Sequence, residues 1–115
     1  VSWHNNIDGM GNFGPRQTIV NNNFIPNTVY PADIDGDGDY DVISGYFSKS
    51  NPAIVWSENL DGAGNFGPPQ DVNTDSLLIA SLFCADVDND GDFDILFASE
   101  DRIGFHENID GAGNY

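Results

Sequence analysis

Asp33-Ile34-Asp35-Gly36-Asp37-Gly38-Asp39-Tyr40-Asp41 returns 53 residues later as Asp86-Val87-Asp88-Asn89-Asp90-Gly91-Asp92-Phe93-Asp94. In each copy five Asp alternate across nine residues, with a Gly at the sixth place. Carboxylates this close repel one another, so a chain that spells the pattern twice has a use for it. Each copy leads into a short β-rich run, Val42-Ile43-Ser44-Gly45-Tyr46 and Ile95-Leu96-Phe97-Ala98. Apolar residues do not recur at helical spacing over several turns anywhere, and Gly, Pro, Asn and Asp interrupt throughout. The reading is all-β.

A second motif repeats around the first. Asp8-Gly9-Met10-Gly11-Asn12-Phe13-Gly14-Pro15 returns as Asp61-Gly62-Ala63-Gly64-Asn65-Phe66-Gly67-Pro68, 53 residues on. It returns again after a further 49, cut short, as Asp110-Gly111-Ala112-Gly113-Asn114-Tyr115. Five residues before each Asp stands a ring: Trp3, Trp56 and Phe105. A period of about 50 residues is that of propeller blades and similar arrays. Turn residues bound the predicted strands Thr28–Ala32, Tyr40–Tyr46, Ala53–Asn59 and Asn65–Val72 in one repeat. Leu78–Ala85, Phe93–Ala98 and Ile103–Asn108 follow in the next. Asp-Gly-x-Gly-Asn then forms the hairpin turn between third and fourth strands, since Gly and Asn accept positive φ. Four antiparallel strands per repeat predict β-propeller blades, with a partial blade at 1–26, a blade at 27–77 and an incomplete blade at 78–115. A propeller needs about four to eight blades, so one chain of this length does not close a ring alone.

The Asp loops predict calcium. Ca²⁺ takes six to eight hard oxygen ligands, and alternate carboxylates around a forced turn deliver them compactly. Asp33, Asp35 and Asp37 would give side-chain oxygens, Asp39 its backbone carbonyl, and Asp41 would close the site. Asp86, Asp88, Asp90, Asp92 and Asp94 repeat the scheme, giving two Ca²⁺ per chain. Asn89 stands where Gly36 does, a fitting exchange if the position is left-handed. The first half of each loop matches the EF-hand pattern, but the twelfth-position Glu and the flanking helices are missing. A merely solvated acidic turn is the bland alternative. Two identically spaced loops weigh against it, and the ligand count disfavours Mg²⁺.

On these residues the chain resembles tandem FG-GAP/VCBS-type repeats, the calcium-bearing blades of integrin α-subunit propellers and of many bacterial extracellular proteins. The resemblance covers essentially the whole chain. Phe-Gly-Pro is present but no Gly-Ala-Pro follows, which fits the bacterial variant better. The resemblance implies that the loop joins the first two strands of a blade and that the ion stiffens the turn without doing chemistry.

Composition narrows the partners. The formal net charge is −16, from 3 Lys+Arg against 19 Asp+Glu. A surface this anionic repels nucleic acid and anionic membranes, and no apolar run is long enough to span a bilayer. The hydrophobic fraction of 39% allows a packed core. Cys84, the only cysteine, excludes an intrachain disulfide and reads as a small buried hydrophobe. The chain begins at Val1 without Met or a leader and reads as a mature or excised segment.

Trp3, Trp56 and Phe105 read as inter-blade core, and His4 and His106 as residues of an exposed strand face. Arg16, Lys49 and Arg102 are too few for an anion site, and Glu100-Asp101-Arg102 reads as a charged turn. With no nucleophile elbow, metalloprotease motif or phosphate loop, the expected function is non-catalytic. It is that of a secreted or cell-surface module for adhesion, scaffolding or partner binding, either as a homo-oligomer or as part of a longer chain. The alternative is a lectin formed by oligomerisation of two-blade chains, with Asn21-Asn22-Asn23-Phe24 as a candidate glycan contact.

Overall fold

A computed structural model describes residues 1–21, 24–47, 53–73 and 78–115. Among them every regular element is a strand. Residues Asn22, Asn23 and Lys49, singled out above, lie outside the described set.

Three antiparallel sheets follow one another along the chain. The first pairs β1 (Ser2–Trp3) with β2 (Gln17–Thr18). The second is a four-stranded meander of β3 (Pro26–Ala32), β4 (Asp41–Tyr46), β5 (Ile54–Ser57) and β6 (Gln70–Asn73). The third holds β7 (Ile79–Ala85), β8 (Asp94–Ser99) and β9 (Ile103–His106). The three sheets do not close into a ring among the described residues. No helix there is long and apolar enough to cross a membrane.

Strand order explains burial. β4 is flanked on both sides and is almost wholly buried, as are Ile54 to Ser57 of β5. β3 alternates toward solvent, as an outer strand does. Ile43, Ile54, Ile79 and Ile95 expose nothing, each contributing roughly 1.5–3 kcal/mol of hydrophobic stabilisation. One core runs across the second and third sheets, joining Ile34, Ile43, Ile54 and Trp56 to Ile79, Leu82, Cys84 and Phe97. Between these sheets the rings of Tyr30 and Phe83 meet edge-on at 5.3 Å, and Asn27 Nδ2 donates to the Ile79 carbonyl at 2.7 Å. The first sheet is attached more loosely. Clefts of about 480 Å³ and 490 Å³ separate it from its neighbour.

The unequal repeat spacing has a local cause. Seven residues connect β4 to β5, but three connect β8 to β9. The shorter link is a tight turn in which Ser99 N donates to Arg102 O at 2.8 Å and Arg102 N donates to Ser99 Oγ at 3.2 Å. The expected charged turn at 100–102 is therefore real.

The fourth strand begins later than the sequence suggests. Asn65–Val72 was the predicted span, yet β6 starts at Gln70. Phe66 makes one isolated bridge to Asn59 and then the chain leaves the sheet, because Pro68 and Pro69 carry no N–H to continue a ladder. Tyr40 and Phe93, expected as first strand residues, also stay outside, and the strands open on Asp41 and Asp94.

Candidate metal centres

Each Asp loop is the connection of a hairpin, closing Ala32 onto Asp41 and Ala85 onto Asp94. The backbone turns sharply inside it. Gly36 and Asn89 both sit at φ 73, which is the left-handed position that the sequence exchange implied. Asn89 is the one non-glycine residue at positive φ among the described residues.

The side chains hold the turn by accepting backbone N–H groups. Asp33 Oδ2 accepts from Gly38 N at 3.1 Å, and Asp86 Oδ2 from Gly91 N at the same distance. Asp37 Oδ1 accepts from Asp39 N at 2.8 Å, and Asp90 Oδ1 from Asp92 N at 3.0 Å. These bonds aim carboxylates inward. Oxygens of Asp33, Asp35 and Asp37 gather within 4.8 Å of one another, as do those of Asp86, Asp88 and Asp94. Partial desolvation, then the charges of Asp90, Asp94 and Asp86, push the Asp88 carboxyl above its ordinary value. The Asp92 carboxyl is raised in the same way, with Asp110 among the contributing charges.

Asp41 and Asp94 have a second task. Both are wholly buried behind the loop. Asp41 Oδ2 accepts from Ile34 N at 3.1 Å and from Trp56 Nε1 at 3.0 Å, while Oδ1 accepts from Asn59 N at 2.8 Å. Asp94 accepts from Val87 N at 2.9 Å and Asn108 N at 3.0 Å. Burial pushes the Asp41 carboxyl up, against three N–H donors that pull it down. The two buried carboxylates differ in one donor, because Phe105 stands where Trp56 does and has no N–H to give, and the loops differ again at Asp86, whose Oδ1 accepts from Asn89 N and Asp90 N. Two donors occupy Asp41 Oδ2, and Asp41 stays out of the first cluster, whereas Asp94 joins the second. Asp39 and Asp92 lean over the neighbouring turn, where a Cβ on Gly62 or Gly111 would collide with their carboxylates.

Sequence reasoning passed over Asn59 and Asn108. Both are buried. Asn59 Oδ1 accepts from Gly64 N at 3.1 Å and Asn108 Oδ1 from Gly113 N at 3.0 Å, bracing each Asp-Gly-x-Gly-Asn turn. Asn59 Nδ2 donates to Tyr40 O at the loop's end. Asn108 Nδ2 reaches into the preceding repeat, to Ile34 O at 2.9 Å. The available signal was an Asn two residues before each turn Asp, at 6, 59 and 108. Of the three rings, Trp56 is 2% exposed and Trp3 half-buried, whereas Phe105 is 49% exposed and not part of the core. His4 is exposed as expected, and His106 stacks on Phe97 at 5.2 Å. Cys84 is buried, its thiol pushed up to about 12 by desolvation and then by Asp94.

A family model described as an FG-GAP-like repeat matches residues 33–97, from the first Asp loop through the second. The chain belongs to the FG-GAP-like repeats. No curated protein and no solved structure gives a significant match. The FG-GAP-like match covers the two hairpins whose acidic clusters could hold a metal ion, and one atom tests that fit. Asp33 Oδ1 is sealed from solvent with no hydrogen-bond partner. An anionic oxygen in that state is costly unless a cation meets it, and the other donors present are all hard carboxylate oxygens suited to Ca²⁺. The residues fit the ion.

Proposed function

We propose that this FG-GAP-like chain is a calcium-stiffened, non-catalytic module of the extracellular space, serving adhesion, scaffolding or partner binding. Its sheets are blades of a propeller, and each Asp loop takes one Ca²⁺, two per chain. Asp33, Asp35 and Asp37 hold the first ion and Asp86, Asp88 and Asp94 the second, with Asp39, Asp41, Asp90 and Asp92 completing the loops. The observation that carries this reading is the buried, partnerless Asp33 Oδ1 within a cluster of three carboxylates. Bound calcium supplies the positive charge that lets these oxygens approach, and the chain's N–H groups keep the carboxylates aimed.

Thermal melting in calcium and in EDTA tests it. An ion that binds only the folded chain adds about 2.7 kcal/mol per site at a hundredfold excess over Kd. For a chain of this size that raises Tm by on the order of 10 °C or more. Equal melting temperatures in the two buffers would sink the calcium reading. One observation favours carbohydrate binding as a second reading: Trp3, Ile19, Tyr40 and Phe66 line the cleft of about 480 Å³ beside Asn59. Silence across a broad glycan array, with no loss on Trp3→Ala, would remove it.

A further inference from the structure

The two Asp loops meet at one side chain. Asn108 is wholly buried, and its Nδ2 donates to the carbonyl of Ile34 at 2.9 Å. Ile34 stands between Asp33 and Asp35 and gives its own N–H to Asp41 Oδ2 at 3.1 Å, so its peptide groups follow the first loop. Asn108 belongs equally to the second loop. Its backbone N donates to Asp94 Oδ1 at 3.0 Å, and Nδ2 also reaches Phe93 O at 3.4 Å. Asp94 is one of the carboxylates of the second cluster. A path from cluster to cluster thus runs through Ile34, Asn108 and Asp94.

A second strut runs beside it. Trp56 Nε1 donates to Asp41 Oδ2 at 3.0 Å. The benzene side of the same indole lies on Gly113, so closely that a Cβ there would overlap the ring. Gly113 N in turn donates to Asn108 Oδ1 at 3.0 Å. The second loop reaches this turn as well, because the Asp92 carboxylate leans over Gly111. One turn, 110–114, is gripped from both loops.

Without a cation the carboxylates of a loop oppose its compact form, and Asp33 Oδ1 stays sealed with no partner. An ion in the first loop relieves both and holds the Ile34 carbonyl in place. Asn108 then finds its acceptor already ordered, and the second ion meets less of the cost of ordering Asp94. The first ion also weakens the negative field that draws the second. Salt of about 0.15 M damps that effect between exposed charges, whereas the buried hydrogen bonds are untouched by it. Coupling through Asn108 therefore wins.

We infer, resting on the calcium reading above, that the two sites fill cooperatively, with Asn108 as the positioning residue that links them. An ion in either loop raises the affinity of the other by about fivefold or more.

Calorimetric titration of the whole chain with calcium chloride, in about 0.15 M salt, tests this. Asp37→Asn disables the first site and Asp88→Asn the second. Both residues are exposed, so the fold is kept, which circular dichroism checks. The overall constant for two ions on the wild-type chain is expected to exceed the product of the two single-site constants by about fivefold or more. In an Asn108→Ala background, all three measurements repeated, the ratio is expected to fall to about one while each site still binds. A ratio of one or below in the wild-type chain overturns the inference and leaves the calcium reading standing. A ratio that Asn108→Ala does not change overturns the role of Asn108, and should that variant fail to fold, the wild-type ratio still decides whether the sites are coupled. A wild-type chain that takes up no calcium overturns the calcium reading and this inference together.

Discussion

Replacing Asp41 by Ala separates the carboxylates that build the loop from those that face its centre. Asp41 has no exposed surface and satisfies three donors: Ile34 N, Asn59 N and Trp56 Nε1. Ala leaves all three unpartnered. A stranded buried donor costs about 1–3 kcal/mol, and with relaxation and water entry the sum settles at about 3–5 kcal/mol. Set against the 5–15 kcal/mol that holds a domain together, that loss is severe. Asp41→Asn is expected to be milder, about 1–3 kcal/mol, because its Nδ2 must face one donor that a carboxylate oxygen met. Asp37→Asn is the contrast. Asp37 is exposed, so in EDTA the change should stay within about 0.5 kcal/mol, and its cost should emerge only in calcium. Urea unfolding of the three variants in EDTA and in calcium reads all of this. If Asp41→Ala unfolds at the wild-type midpoint in EDTA, the carboxylate is not holding the hairpins and the reasoning fails. If Asp37→Asn is as damaging in EDTA as in calcium, the division of labour is wrong.

The response to pH follows from the raised carboxyls. Asp41, Asp88 and Asp92 all have pKa values above the ordinary one when folded, so the folded chain holds protons more tightly than the unfolded chain. Their contribution is complete below the unfolded value and is lost as pH rises through the folded one. In EDTA, Tm should therefore climb as pH drops from neutral toward the ordinary carboxylate range. In calcium it should fall over the same window, because protons then compete with the ion. Asp8 and Asp110 are lowered, by Met10 N and by Asn114 respectively, so their contribution fades only at still lower pH. Melting curves at stepped pH in both buffers check the crossing, and parallel trends would contradict it. Trp56→Phe removes the indole donor to Asp41 while keeping a ring on Gly113, and should cost about 1.5–3 kcal/mol by urea unfolding. An unchanged midpoint would mean that the Trp56–Asp41 bond contributes nothing net.

Much of this was legible from residue order alone. The repeats, the all-β class, the two loops and the left-handed position shared by Gly36 and Asn89 are local facts, written in a few adjacent residues. What escaped depends on register. The donors to Asp41 lie 7, 15 and 18 residues away, and only the pairing of β4 with β5 brings them together. The sequence could show that Asp41 belonged to an acidic run, but not that it faces backwards into the sheet. Asn108 is further still, since its partner Ile34 is 74 residues distant. The late start of β6 was readable in principle from Pro68-Pro69, which have no N–H to continue a ladder. Phe105 was grouped with Trp3 and Trp56 by position.

The hydrogen bond from Asn108 to Ile34 has a direction. Ile34 lies inside the first Asp loop, giving its N–H to Asp41 and its carbonyl to the turn of the following repeat. Whatever orders the first loop therefore also fastens the second repeat, whereas among the described residues no hydrogen bond runs the opposite way from the second loop to the first turn. In a linear array each unit answers chiefly to its neighbours, and this bond ties the first loop to the turn of the next repeat. Disorder introduced at the first loop should reach the third sheet's melting, and because coupling is reciprocal, disorder introduced at the Asn108 turn should loosen the first loop by the same free energy.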